Sequence, residues 1–179
     1  HFDMVLNYPQ INGFGVMLID TPVKKNRVVW NSFSQKPEII YRLTDEDKKR
    51  MRIAAKKGVE IMFGSGAKKV MLPSEEPIGP LSRPTFNNKS QAEYCNELTF
   101  LPHQTQITSA HCQATVSMGE DHELGILNSR CESKYVKNLV VCDSSSFPTS
   151  CGANPMVSIM TMARYQGNRV AGELARYDL

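Results

Sequence analysis

Apolar residues keep helical spacing over only two long windows of the 179-residue chain, 45–63 and 156–177; elsewhere Pro, Gly and Asn cut them into strand-sized pieces. That pattern predicts a mixed α/β chain. It also excludes a transmembrane helix, which needs about 18 consecutive apolar residues. In the first window Asp45, Glu46 and Asp47 suit the positive end of a helix dipole, and Met51, Ala54, Ala55, Gly58 and Met62 then share a face. Lys48, Lys49, Arg52, Lys56 and Glu60 form the opposite, solvated face, and Gly64 and Gly66 supply the stop. In the second window Met156, Ile159, Met160, Ala163, Gly167, Val170, Ala171 and Leu174 form a stripe expected to pack in a core.

The shorter runs 4–6, 14–19, 27–30 and 39–41 read as strands of an antiparallel sheet, and 69–72 as a strand ended by Pro73. The segment 73–90, with Pro73, Pro77, Pro80 and Pro84, reads as an irregular surface excursion, and 135–142 as a strand. A 41% hydrophobic content is enough for a sizeable core, in one large domain or two small ones. The net charge of +3 is scattered in pairs such as Lys24-Lys25 and Lys68-Lys69, without the concentrated basic, aromatic-laced face of a nucleic-acid binder. Five cysteines without a C-x-x-C predict buried thiols, not a disulfide framework or a zinc ribbon.

The chemically informative stretch is 109–162. Asn154-Pro155 suits a helix start, with Asn at the N-cap and Pro in the first turn, and such a helix aims free N–H groups at an anion. Ser144, Ser145 and Ser146 lack the Gly-x-Ser-x-Gly elbow of a serine hydrolase, and no metal or triad spacing surrounds His1, His103 or His122.

Three pieces in this order carry more. His111 is followed four residues on by Thr115 and then by Met118-Gly119; a strand-like run leads into Asp143-Ser-Ser-Ser-Phe-Pro-Thr149; and Gly152-Ala-Asn-Pro155 opens a helix. Together they resemble the C-terminal signature of the glucose-methanol-choline (GMC) flavin oxidoreductases. The match is specific over 109–165 and loose over 1–108, where the helix at 45–63 and the Val70-Met-Leu-Pro73 run suggest the family's substrate domain. The resemblance implies a substrate-domain portion over 1–105, an antiparallel sheet plus the helix 45–63, and a flavin-side C-terminal segment over 106–179 of an FAD-binding fold. It implies FAD as cofactor, His111 as catalytic base and Asn154 as the second active-site residue. Asp143, Ser144, Asn154, Pro155 and Met156 would line the flavin. The Asn at 154 is similar to the alcohol, sterol and choline oxidase branches.

In such enzymes a CH–OH group is oxidised: His takes the hydroxyl proton while hydride passes from carbon to flavin, and Asn holds the substrate oxygen. A lyase on the same flavin fold and a non-catalytic structural subunit are the alternatives. Where the family usually reads His-Pro-x-Gly-Thr-Cys-Arg-Met-Gly, this chain has Cys112, Ala114, Val116 and Ser117 at the Pro, Gly, Cys and Arg positions. The Gly-x-Gly-x-x-Gly dinucleotide fingerprint is also not in the sequence. The expected partners are therefore an N-terminal dinucleotide-binding part of the same enzyme, as a separate chain or a cleaved segment, and a small alcohol. Nothing in the sequence assigns a compartment.

Overall fold

A computed structural model describes residues 5–120 and 125–177, and its contacts divide the chain into two units. In the first, residues 5–18 associate with 45–107. Helix α1, Asp45–Gly64, forms where the spacing predicts it, with three acidic residues in its first turn. Its Val59 joins Val70, Ile78, Phe86, Ala92, Cys95 and Leu98 in the buried cluster. A 3-10 helix at Lys89–Glu97, whose first turn is capped by the Asn88 side chain, lies along α1. Arg52 Nε donates to the Leu98 carbonyl at 2.7 Å and Lys56 pairs with Glu93 at 2.6 Å, which fixes how the two lie together.

Segment 73–90 is not the surface excursion expected of it. Strand β3, Val70–Met71, pairs antiparallel with β4, Thr85–Phe86, and Ile78, Pro84 and Phe86 are fully buried. Proline density removes backbone donors without removing apolar side chains, so a proline-rich strap can line a core. The buried Glu76 pins the strap, accepting from the Thr99 N–H at 2.5 Å and from the Thr105 hydroxyl at 3.1 Å. The expected strands at 4–6 and 14–19 do not form. Met4 lies outside the described residues, Val5 and Leu6 are helical, and Phe14 and Val16 lie in irregular backbone with their side chains against Gly58.

In the second unit residues 19–44 associate with 108–177. Strands β1, Arg27–Asn31, and β2, Lys36–Ile40, form an antiparallel hairpin in the register Val28↔Ile39 and Trp30↔Pro37. The Asn31 Oδ1 accepts from the N–H groups of Phe33 and Ser34, closing the turn as an Asx turn, and Gln35 takes the left-handed position. The strand expected at 135–142 is absent. Lys137 and Asn138 turn the chain back, with Asn138 at φ 62°, and only short pairings of 131–133 with 139–141 survive, carried by Ser133 N–H to Leu139 O and Val141 N–H to Cys131 O at 2.9 Å each. Strand propensity reports fit to a pleated neighbour, and this run has one only at its end.

Helix α2, Met156–Gly172, continues as a 3-10 turn at Leu174–Arg176 instead of running to 177. Its apolar stripe is not the core face expected of it: Met156, Met160 and Leu174 are exposed, while Gln166 is buried and the Arg169 side chain only 10% exposed. What seats α2 is polar. Arg169 donates to the Arg130 carbonyl at 2.8 Å, to the Tyr177 hydroxyl at 2.9 Å and to Glu132 at 3.2 Å, and Tyr177 donates to Glu132 at 2.8 Å.

Candidate active-site loops

The loop that follows His111 runs alongside the Asp143 turn in the same chain direction, joined to it by a series of backbone hydrogen bonds. The N–H groups of Ala114, Val116 and Met118 donate in sequence to the carbonyls of Ser144, Ser145 and Ser146, at 3.2, 2.9 and 2.9 Å. Such a ladder needs the carbonyls of 144–146 turned to one side. Asp143 achieves this by capping a 3-10 turn at Ser144–Ser146, its Oδ1 accepting from the Ser145 N–H at 2.8 Å. Ser144 Oγ then donates to the Cys112 carbonyl at 3.0 Å, directly beside His111.

Gln113 links this pair of loops to the third motif. Its Nε2 donates to the His111 carbonyl at 3.3 Å and its Oε1 accepts from the Cys151 N–H at 3.2 Å. Gly152 follows at φ 67°, where a Cβ would sit 2.4 Å from Ile19 Cδ1, so any larger residue would strain the backbone and push the Ile19 side chain aside. All three sequence motifs thus meet through named hydrogen bonds. The role of Gln113 is invisible in periodicity; its position between the His and the following loop is the only signal for it.

Each residue singled out from sequence has a definite place. His111 is half-buried at the head of the ladder, Asp143 and Ser144 spend side-chain oxygens on loop geometry, Pro155 is buried, and Asn154 and Met156 are exposed. Asn154 is not the N-cap of α2. Pro155 holds that position, at φ −87° and ψ 0°; its carbonyl receives the Ile159 N–H at 2.8 Å, and its ring, having no acceptor, makes no side-chain cap bond. The first-turn N–H groups of α2 are therefore open to a ligand and flanked by the exposed Met156 and Val157.

Around the site the charges are set by the seat of α2. The Asn128 amide, with Tyr177, Arg130 and Arg176, holds the Glu132 carboxyl at about 2, well below the ordinary range. Burial pushes the Cys131 and Cys142 thiols up, and Cys95 to about 11. Cys95 and Cys131 are buried, as expected of free thiols, whereas Cys112 and Cys151 are exposed on the motif loops. A shallow cavity of about 270 Å³ lined by Leu139, Val140, Val170, Leu174 and Tyr177 involves none of the motif residues. His103 lies elsewhere, and His1 and His122 fall outside the described residues. Among the described residues no three His, Cys, Asp or Glu side chains cluster as metal ligands, and no helix is long and apolar enough to cross a membrane.

Long-chain-alcohol oxidase FAO1 of Arabidopsis thaliana is 28% identical over 150 residues, 73% of this chain and 18% of that protein. Long-chain-alcohol oxidase FAO4A of the same plant is 28% identical over 148 residues, 81% of this chain and 20% of its own length. The chain thus spans about a fifth of the curated relatives it matches. The GMC oxidoreductase family matches from residue 22 to residue 163, which takes in the hairpin, α1 and all three motif loops, and on that extent this chain belongs to the GMC oxidoreductases.

Proposed function

We propose that the chain is the C-terminal part of an FAD-dependent enzyme that oxidises a CH–OH group, an alcohol oxidase or dehydrogenase, and that works together with an N-terminal dinucleotide-binding part. The observation that carries this reading is the convergence of the three motifs: the His111 loop laddered onto the Asp143 turn and tied by Gln113 to the Cys151-Gly152 bend that leads into α2. The relatives' names, which specify long-chain alcohols, support an alcohol as donor.

The residues present suit a flavin. An α2 start without a side-chain cap offers N–H groups to an anionic or electron-rich edge, and exposed Met156 and Val157 offer apolar contact to a ring system. Bound there, FAD would supply the two-electron chemistry. His111 takes the proton from the substrate hydroxyl, and its carbonyl bond to Gln113 fixes the backbone from which the ring projects. Asn154 cannot titrate; its amide holds the substrate oxygen and sets its direction. Asp143 and Ser144 act through the backbone they shape, since their side-chain oxygens serve the loop.

The test is rapid mixing of the intact flavin-loaded enzyme with an alcohol, following flavin bleaching. His111→Ala removes the proton acceptor, so bleaching slows about 10²-fold or more at unchanged flavin content. Bleaching at the wild-type rate in that variant removes His111 from the chemistry.

A further inference from the structure

The bend that carries Asn154 is tied to its surroundings at one point. Among the described residues, the backbone of 148–154 makes one hydrogen bond to another segment, from the Cys151 N–H to Gln113 Oε1 at 3.2 Å. The same carboxamide donates through Nε2 to the His111 carbonyl at 3.3 Å. Its partners leave it one orientation, since a backbone carbonyl takes only a donor and a backbone N–H only an acceptor. Glutamate in its place would serve the N–H alone, and lysine the carbonyl alone. The two ends of this tie differ. The His111 loop is already held, by the N–H groups of Ala114, Val116 and Met118 and by Ser144 Oγ on the Cys112 carbonyl. On the other side Cys151, Ala153 and Asn154 are exposed, and the bend turns at Gly152 with Ile19 beside it.

We infer that Gln113 is a positioning residue that keeps Asn154 in register with His111: its carboxamide ties the exposed bend, three residues ahead of Asn154, to the loop that bears the base. The inference rests on the proposed function for what His111 and Asn154 do to the substrate, and on the two hydrogen bonds for how their segments are held together. An alcohol whose oxygen is held by one residue and deprotonated by the other reacts only from the aligned geometry. Slack in the tie therefore lowers the rate of the chemical step and leaves binding of the alcohol's carbon chain nearly unchanged.

Two variants of the intact flavin-loaded enzyme test it. Gln113→Met keeps the length of the side chain and removes both bonds, while Gln113→Glu keeps an acceptor for the Cys151 N–H and removes the donor to the His111 carbonyl. In rapid mixing with an alcohol, the limiting rate of flavin bleaching should fall at least about tenfold in both, with the half-saturating alcohol concentration within about twofold of wild type and flavin content unchanged. Hydrogen exchange at the Cys151 amide should quicken about tenfold in Gln113→Met and stay slow in Gln113→Glu. A wild-type limiting rate in either variant overturns the inference. So does a loss of flavin or of urea midpoint at an unchanged rate per bound flavin, which makes Gln113 a residue of the fold alone. Unchanged Cys151 exchange in Gln113→Met overturns it as well, because the tie is then absent. A flavin-loaded wild-type enzyme that alcohol does not bleach defeats the proposed function instead, while the Cys151 amide still reports the tie.

Discussion

Ala114 sits at φ 63°, in the left-handed region that favours glycine. A left-handed turn lets the Ala114 N–H reach Ser144 O at 3.2 Å and start the ladder, but it brings a Cβ against the backbone. Ala114→Gly should therefore raise stability by about 1 kcal/mol, read as a higher urea midpoint at unchanged slope. The opposite change nearby has the opposite sign. Gly152→Ala adds a Cβ at 2.4 Å from Ile19 Cδ1 on a residue at φ 67°, and should cost about 1–3 kcal/mol on the same measurement. Asn154→Ala removes no cap, so its stability should stay within about 0.5 kcal/mol of wild type while alcohol-dependent flavin bleaching in the intact enzyme slows. A large stability loss without a rate effect would return Asn154 to a purely structural role.

Among the elements, α2 has the least expected anchorage. A helix with an apolar stripe ordinarily docks by that stripe, yet here Arg169 and Tyr177 clamp the helix end onto Glu132, with Arg130 and Glu173 also paired. Folding holds the Glu132 carboxyl at about 2, against about 4.3 for an unperturbed glutamate. The folded state thus favours the ionised form, so this stabilisation is complete above the unfolded value and lost as pH falls from about 5 toward 2. The urea midpoint should drop through that window, and Glu132→Gln should flatten the drop while lowering the midpoint at pH 7. An unchanged acid profile in that variant would place the pH sensitivity elsewhere.

At the scale of the whole chain, exposed apolar surface is the dominant fact. Trp30, Phe33 and Ile39 on the hairpin and Met156, Val157 and Met160 on α2 stand open to solvent. Residues 1–179 expressed alone should be aggregation-prone and colourless, and should become soluble and yellow when produced with the dinucleotide-binding part of the enzyme. Gel filtration and the visible spectrum check both statements together; a soluble, yellow 179-residue product overturns them.

Helix α1 and the family were legible because each rests on local order along the chain: a 3.6-residue period with acidic residues at its start, and three motifs in fixed sequence. The hydrogen bonds that join those motifs were not, since Gln113 meets Cys151 across 38 residues that no periodicity relates. The surface excursion at 73–90 failed because proline density leaves apolar side chains free to line a core; the strand at 135–142 and the core stripe on α2 failed for another reason. Apolar spacing says that a face wants burial but not what covers it. The tertiary structure turned Asn138 back on the run at 131–133, buried Ile78 and Phe86 from a proline-rich strap, and gave α2 a charged seat. Local sequence sets which backbone conformations are cheap; only the assembled chain decides which apolar faces find a partner.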